Sequence, residues 1–290
     1  MPLDPRDPDA AIDVFTRTAE LLRTDPRRRG SLVQLPDHGR LTVTGDIHDH
    51  LPNFRRAVAL AKLDEAPDHF LIVHELIHGK NLVNHTDLSI RIQLEACSLM
   101  LERPGQVLSF LANHDLAQIR KTSILKAGGA SVVEAFTDGV DYLYGGRAED
   151  VAAAYEQFVL ALPLAVRCAN RILCAHSLPS PLKMPGFDPA VLTRELTDDD
   201  YASNGAAHRM VWGRNQTEAV TQPLCDAWDV DQFILGHQPN EFGWHTKTDR
   251  ILILDSQHNH AVALPIDLAR RYTQDQLTDR LVPLASVAIS

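Results

Sequence analysis

The sequence predicts a layered α/β domain, and three observations carry that reading. Short apolar runs alternate along the chain with helical patterns. Each run ends in a cluster of Gly, Asp, Asn or His. Apolar residues at helical spacing fill the segments between runs.

Taken in order, residues 8–23 carry the apolar spacing of a helix, closed by Asp25-Pro26 and a basic run, 27–29, that suits a solvated helix end. Residues 31–35 and 41–44 flank Pro36-Asp37-His38-Gly39, which is turn chemistry and predicts a hairpin. The run 41–44 leads into Gly45-Asp46-Ile47-His48 and a helix over 51–63. The run 70–73 leads into His74-Glu75-Leu76-Ile77-His78-Gly79 and a helix over 86–103. The run 106–112 leads into Asn113-His114-Asp115 and a helix over 114–121. Further on, 172–175 ends at His176 and 232–235 ends at Gly236-His237. Two antiparallel pairs are expected, 164–168 with 172–175 and 242–246 with 251–254, followed by a last strand over 261–265. Helices over 130–142, 148–160, 216–228 and 267–279 fill the rest. With no repeat or linker, residues 1–290 are expected to form one domain.

Composition narrows the function classes. Lys plus Arg is 28 and Asp plus Glu is 38, a net charge of −10 that opposes duplex nucleic acid and anionic membranes as partners. The four cysteines form no CxxC pair, so reduced thiols are expected rather than disulfides or a zinc ribbon. No apolar run is long enough to span a bilayer, and the N-terminal stretch lacks a secretory pattern, so the expected location is cytoplasmic. Oligomeric state is not encoded in any of these features.

The informative fact is where polar residues sit. Ligand sites of α/β sheets form beyond the carboxyl ends of strands. Here five apolar runs deliver metal-ligand types at that end: Asp46 and His48, then His74 and Glu75, then Asn113, then His176, then His237. Singly each has a bland explanation. Gly45-Asp46 is a serviceable turn, Asn113 a serviceable helix cap, and a lone His a core residue. Their joint occurrence favours a metal site. The donors are imidazole, carboxylate and amide oxygen without sulfur, which suits one or two divalent ions such as Mn, Fe or Zn. Two such ions would clamp a phosphoryl group and supply a hydroxide nucleophile at neutral pH.

The blocks Gly45-Asp46-Ile47-His48, Ala112-Asn113-His114-Asp115, Ala175-His176-Ser177 and Gly236-His237-Gln238 resemble the signature blocks of calcineurin-like metallophosphoesterases. Leu162-Pro163-Leu164-Ala165, Met210-Val211-Trp212-Gly213 and Ile253-Leu254-Asp255-Ser256 resemble the PPP branch, which includes bacterial serine/threonine phosphatases and diadenosine tetraphosphatase. The resemblance covers residues 38–266. It implies a four-layer α-β-β-α sandwich with mixed sheets. It also implies that Asp46 and His48 bind a first metal, that Asn113, His176 and His237 bind a second, and that His114 is the general acid for the leaving oxygen. The implied activity is hydrolysis of a phosphoester in a phosphoprotein, a dinucleoside polyphosphate or a small metabolite. The alternative is a catalytically weak metal-binding module with the same fold.

One block departs from the family pattern Gly-Asp-x-x-Asp-Arg-Gly. His74 falls where an aspartate bridges both metals, Ile77 where an acid orients the catalytic His, and His78 where an Arg holds phosphate. Neutral imidazole offers one lone pair and no charge, so it cannot join two cations as a carboxylate does. Three arrangements remain open: His74 as terminal ligand with Glu75 bridging, His74 in a one-metal or asymmetric site, and a degenerate site. For holding phosphate the candidates are Arg214, His78, and Arg120 or Lys121. Asp115 is the candidate for orienting His114.

Overall fold

A computed structural model describes residues 4–125 and 131–289 of the chain. Met1–Leu3 of the N-terminal stretch and Ala130, the first residue of the helix expected over 130–142, lie outside them. The described residues form an α/β fold with two mixed sheets, as expected. The seven-stranded sheet runs in the order Arg28–Arg29, Leu32–Leu35, Ala165–Cys168, Ile172–Ala175, Gln232–Leu235, Ile251–Leu254, Trp244–Lys247. The five-stranded sheet runs Val282–Pro283, Val262–Asp267, Arg40–Asp46, His69–His74, Val107–Leu108.

Side-chain alternation decides what lies between the sheets. Leu41 and Val43, with Phe70 and Ile72, point into one buried layer together with Val166, Cys174, Ile234 and Leu252 of the other sheet. The alternate residues Leu71 and Val73 join a separate core with Phe54 and Ala57 of the helix Leu51–Ala61. Strands buried on both faces read as unbroken apolar runs, which is why 70–73 shows no polar alternation.

The expected hairpin over 31–44 does not form. Leu32–Leu35 pairs in parallel with Ala165–Cys168, whereas Arg40–Asp46 pairs with His69–His74 and Val262–Asp267 in the opposite sheet. The turn residues between them carry the chain from one sheet to the other, a use that local turn chemistry does not distinguish from a hairpin. The helix expected over 267–279 is reduced to Gln274–Thr278: the preceding strand runs to Asp267, and a capping box between Thr273 and Gln276 sets the helix start. The run 106–112 contributes only Val107–Leu108 as strand. The antiparallel pairs 164–175 and 242–254 form as expected.

The sheets meet at Gly45. A Cβ there would lie 2.1 Å from the Leu254 carbonyl oxygen, and Asp46 bridges Asp255 in parallel, so the two carboxyl edges converge. All four cysteines are buried free thiols. No helix among the described residues is long and apolar enough to cross a membrane.

The acidic run 198–200 has a structural role. It opens the helix Asp198–Tyr201, where Asp200 accepts two bonds of 2.7 Å from the Arg194 guanidinium and closes a capping box with Thr197. The Arg194 hydrogen bond lowers the Asp200 carboxyl from 3.8 to about 2, against the opposing effect of burial. A depressed carboxylate stabilises the fold above its unfolded pKa and loses that contribution as pH falls through the folded value. Asp200→Asn is expected to lower stability by about 1 kcal/mol at pH 7, after discounting for the solvent that reaches Arg194. Denaturant melts should show that gap closing as pH approaches 2. A gap that persists there would remove the ion pair as its source.

Candidate metal centre

The loops that leave the converging strands are tightly turned. His48, Asp49, Glu75, His78 and His237 all have positive φ, between 43° and 67°, without being glycine. Such backbone costs about 1–3 kcal/mol per residue and concentrates at functional sites. At Glu75 it has a specific consequence. Adjacent strand residues face opposite ways, so His74 and Glu75 should not share a face. With φ at 50° just past the strand end, the chain reverses, and both side chains enter the same cluster. Tertiary bonds hold the turn: the Glu75 carbonyl accepts the backbone N–H groups of Ile47 at 3.2 Å and His48 at 2.9 Å.

The donor atoms converge in a buried cluster. The Asn113 side-chain oxygen lies 2.7 Å from His176 Nε2 and 2.8 Å from His237 Nδ1, and those two nitrogens are 3.1 Å apart. Glu75 Oε1 is 3.4 Å from the same His176 Nε2, while Glu75 Oε2 is 3.3 Å from His48 Nε2. The Glu75 carboxylate therefore stands between the His48 side and the Asn113–His176–His237 side. Asp46 accepts from His74 Nε2 at 3.1 Å and from the His237 backbone N–H at 3.0 and 2.9 Å. His74 lies against Phe110, ring centroids 4.4 Å apart, behind Asp46.

Two triplets each present one donor atom per residue within 4.8 Å of one another: Asp46, His74 and His176, and His48, Glu75 and His114. His48 donates Nδ1–H to the Ile77 carbonyl at 2.8 Å, which leaves Nε2 as its lone pair toward the cluster. Rings of the same cluster keep buried nitrogens without hydrogen-bond partners among the described residues, His74 Nδ1, His176 Nδ1 and His237 Nε2. Neutral imidazoles, two carboxylates and an amide oxygen fit divalent cations.

Electrostatics agree with that fit. Burial pushes His176 far below the ordinary imidazole range and His237 down to about 3, so both present lone pairs. Burial opposes ionisation of Asp46, yet the His74 hydrogen bond and nearby imidazoles hold its carboxyl well below the usual range. Burial and the neighbouring Asp46 raise Glu75 to about 8. Burial also works against His48, but the charge of Glu75 outweighs it and raises that ring to about 9. Both members of this pair are set to exchange a proton for a cation.

The cleft over the cluster has a volume of about 270 Å³ and is walled by His114, His78, Lys80, Arg214 and Gln257 among others. Lys80 was not singled out by sequence reasoning; its only signal there is that it follows Gly79. Of the sequence candidates for holding phosphate, His78 and Arg214 line this cleft. Arg120 turns away to Asp198 at 3.3 Å and the face of Tyr201, and Lys121 lines a different hollow. Asp115 does not orient His114, because its carboxylate accepts from the Tyr155 hydroxyl at 3.0 Å. The group on His114 is instead His78, Nδ1 to Nδ1 at 2.8 Å. Burial, with His48 and His78 nearby, pushes His114 well below the ordinary imidazole range.

The family model described as calcineurin-like phosphoesterase matches residues 39–249. The chain belongs to that family. This phosphoesterase fold extends over nearly the whole chain in one solved relative, a protein serine/threonine phosphatase from Saccharomyces cerevisiae with similarity to human phosphatase PP5. There the identity is 14%, the TM-score 0.68, and coverage 95% of this chain and 88% of the yeast one. The cold-active protein-tyrosine phosphatase of a psychrophilic Shewanella species matches at 15% identity and TM-score 0.54, over 87% of this chain and 80% of its own. No curated protein sequence matches the chain. At such identities the likeness is one of fold. The family uses divalent metals, and the clusters above are candidate ligand sets for them.

Proposed function

We propose that the chain is a PPP-type, serine/threonine phosphatase-like phosphoester hydrolase holding two divalent ions, of the Mn, Fe or Zn kind. Asn113, His176 and His237 would hold one ion and Asp46 and His48 the other, with the Glu75 carboxylate within reach of both sides and His74 bonded to Asp46. The observation that carries this reading is the position of the Glu75 carboxylate, one oxygen 3.4 Å from His176 and the other 3.3 Å from His48. Divalent cations held there would polarise phosphoryl oxygens and make water nucleophilic near neutral pH.

The protein's own groups do the rest. Lys80 and Arg214 face the cleft and bind the phosphoryl charge, a task that falls to them because the family's phosphate-holding Arg is replaced by His78. His114, at the cleft wall, takes up a solvent proton on Nε2 and passes it to the leaving oxygen. The substrate is a phosphoprotein, a dinucleoside polyphosphate or a small phosphorylated metabolite rather than duplex nucleic acid, given the net charge of −10. The cytoplasm suits this chemistry and the reduced thiols.

Metal analysis and turnover test the reading together. The expected result is about two ions per chain, with hydrolysis of p-nitrophenyl phosphate and of a phosphoserine peptide. His114→Ala should slow the peptide about 10²–10⁴-fold and spare p-nitrophenyl phosphate, whose leaving group needs no proton. Bound metal without turnover of any phosphoester would instead establish a metal-binding module. Equal losses on both substrates would remove the acid role of His114.

A further inference from the structure

Resting for its kinetic arm on the hydrolysis proposed above, we propose that Gln118 and Thr137 are positioning residues that act through His78. They fix the His114 ring with its proton on Nδ1 and its Nε2 toward the cleft.

The direction of each bond follows from a single hydrogen. The Thr137 hydroxyl is 2.9 Å from the Val133 carbonyl, one turn back on the helix Val132–Tyr144, and a carbonyl can only accept. With its hydrogen committed, the Thr137 oxygen accepts from the Gln118 amide nitrogen at 3.2 Å. That sets the Gln118 amide with its oxygen toward His78. His78 Nε2, 2.8 Å from that oxygen, therefore carries a hydrogen. In its neutral form His78 then has its lone pair on Nδ1, and the atom facing it at 2.8 Å is His114 Nδ1, which must donate. Neutral His114 is left with its lone pair on Nε2, and any proton it passes to a leaving oxygen is carried there.

The local sequence builds this chain. His114 and Gln118 are four apart on the helix Asn113–Arg120 and share a face, so one ring can touch both. His78 enters that gap from a left-handed turn, with φ at 62°, and the Phe136 ring packs on it edge to face at 5.6 Å. The two candidate positions for an orienting acid are otherwise engaged. Ile77 gives only its carbonyl, to His48, and Asp115 is held by Tyr155. Orientation through Nδ1 is thus supplied by an imidazole backed by an amide.

The test reads tautomers directly. Imidazole ¹⁵N spectra of the full chain, chelator-treated so that no paramagnetic metal broadens the lines, should show wild-type His114 protonated at Nδ1 and bare at Nε2. Gln118→Leu removes the acceptor, lets His78 donate from Nδ1, and should convert His114 to the Nε2–H form. Gln118→Glu keeps an acceptor in place and should keep the wild-type pattern. Thr137→Val frees the Gln118 amide to turn and should give a mixture; it also decides the matter if Gln118→Leu fails to fold. With a phosphoserine peptide, Gln118→Leu should lower kcat about tenfold with KM little changed, and Gln118→Glu should restore it. Wild-type His114 found in the Nε2–H form, or identical tautomers in all variants, overturns the proposal. An inactive wild type showing the expected tautomers would refute the hydrolase reading and leave the positioning role standing.

Discussion

Glutamine in place of Glu75 is expected to remove about one cation per chain and to lower turnover by at least about a hundredfold. The change keeps the size of the side chain and one oxygen but deletes the charge. Glu75 lies within 3.4 Å of both His48 and His176, so its carboxylate touches both sides of the cluster. Only Asp46 would remain as a buried anion among the proposed ligands, opposite two dications whose desolvation it cannot balance alone. The pH dependence should change as well. The wild-type carboxyl is raised to about 8 by burial and Asp46, so protons compete with metal below that value and affinity should fall as pH drops. The glutamine variant has no such proton, and its residual metal binding should lose that dependence. Atomic emission analysis and phosphatase assays across pH 6–9 check both parts. Glu95→Gln, on an exposed helix face paired with Arg55, is the control and should lie within about 0.5 kcal/mol of wild type. Two ions per chain and unaltered rates in the Glu75 variant would exclude the bridging role.

Gly236→Ala is the second large effect. An added Cβ would sit 2.2 Å from Asp46 Oδ1 and 2.5 Å from His74 Nε2, both buried and hydrogen-bonded to each other. Asp46 is further pinned by the His237 backbone N–H, so it cannot retreat without opening the turn that carries His237. Overpacking of this kind costs about 1–3 kcal/mol, and here it displaces ligands rather than core methyls. Metal content and turnover should collapse together while the protein still melts cooperatively, a few degrees lower. Gly146→Ala, where nothing lies within 4 Å, should behave as wild type. A Gly236→Ala protein that binds metal normally would show that Asp46 and His74 do not need their present spacing.

Much of this was legible in the sequence, because it depends on local chemistry. Apolar period and turn residues set the strand–loop–helix order, and the donor types at Asp46, His48, Asn113, His176 and His237 are written at four strand ends. The structure brings those five together within one cluster. The resemblance to metallophosphoesterases rests on the same blocks, and it survives the loss of the usual aspartate.

What only the tertiary structure decided is direction. Whether His74 or Glu75 stands between the two halves depends on the sign of one φ angle, and that sign is held by Ile47 and His48 of a neighbouring strand end. Turn residues 36–39 join two sheets instead of two paired strands because Arg40–Asp46 finds its partners at His69–His74 and Val262–Asp267, far along the chain. His78, aligned with a phosphate-holding Arg, points back to His114 because Gln118 accepts its other nitrogen. Residue type is a property of the chain. Where a side chain points past the end of a strand is set by hydrogen bonds to groups distant in sequence, and no local pattern contains them.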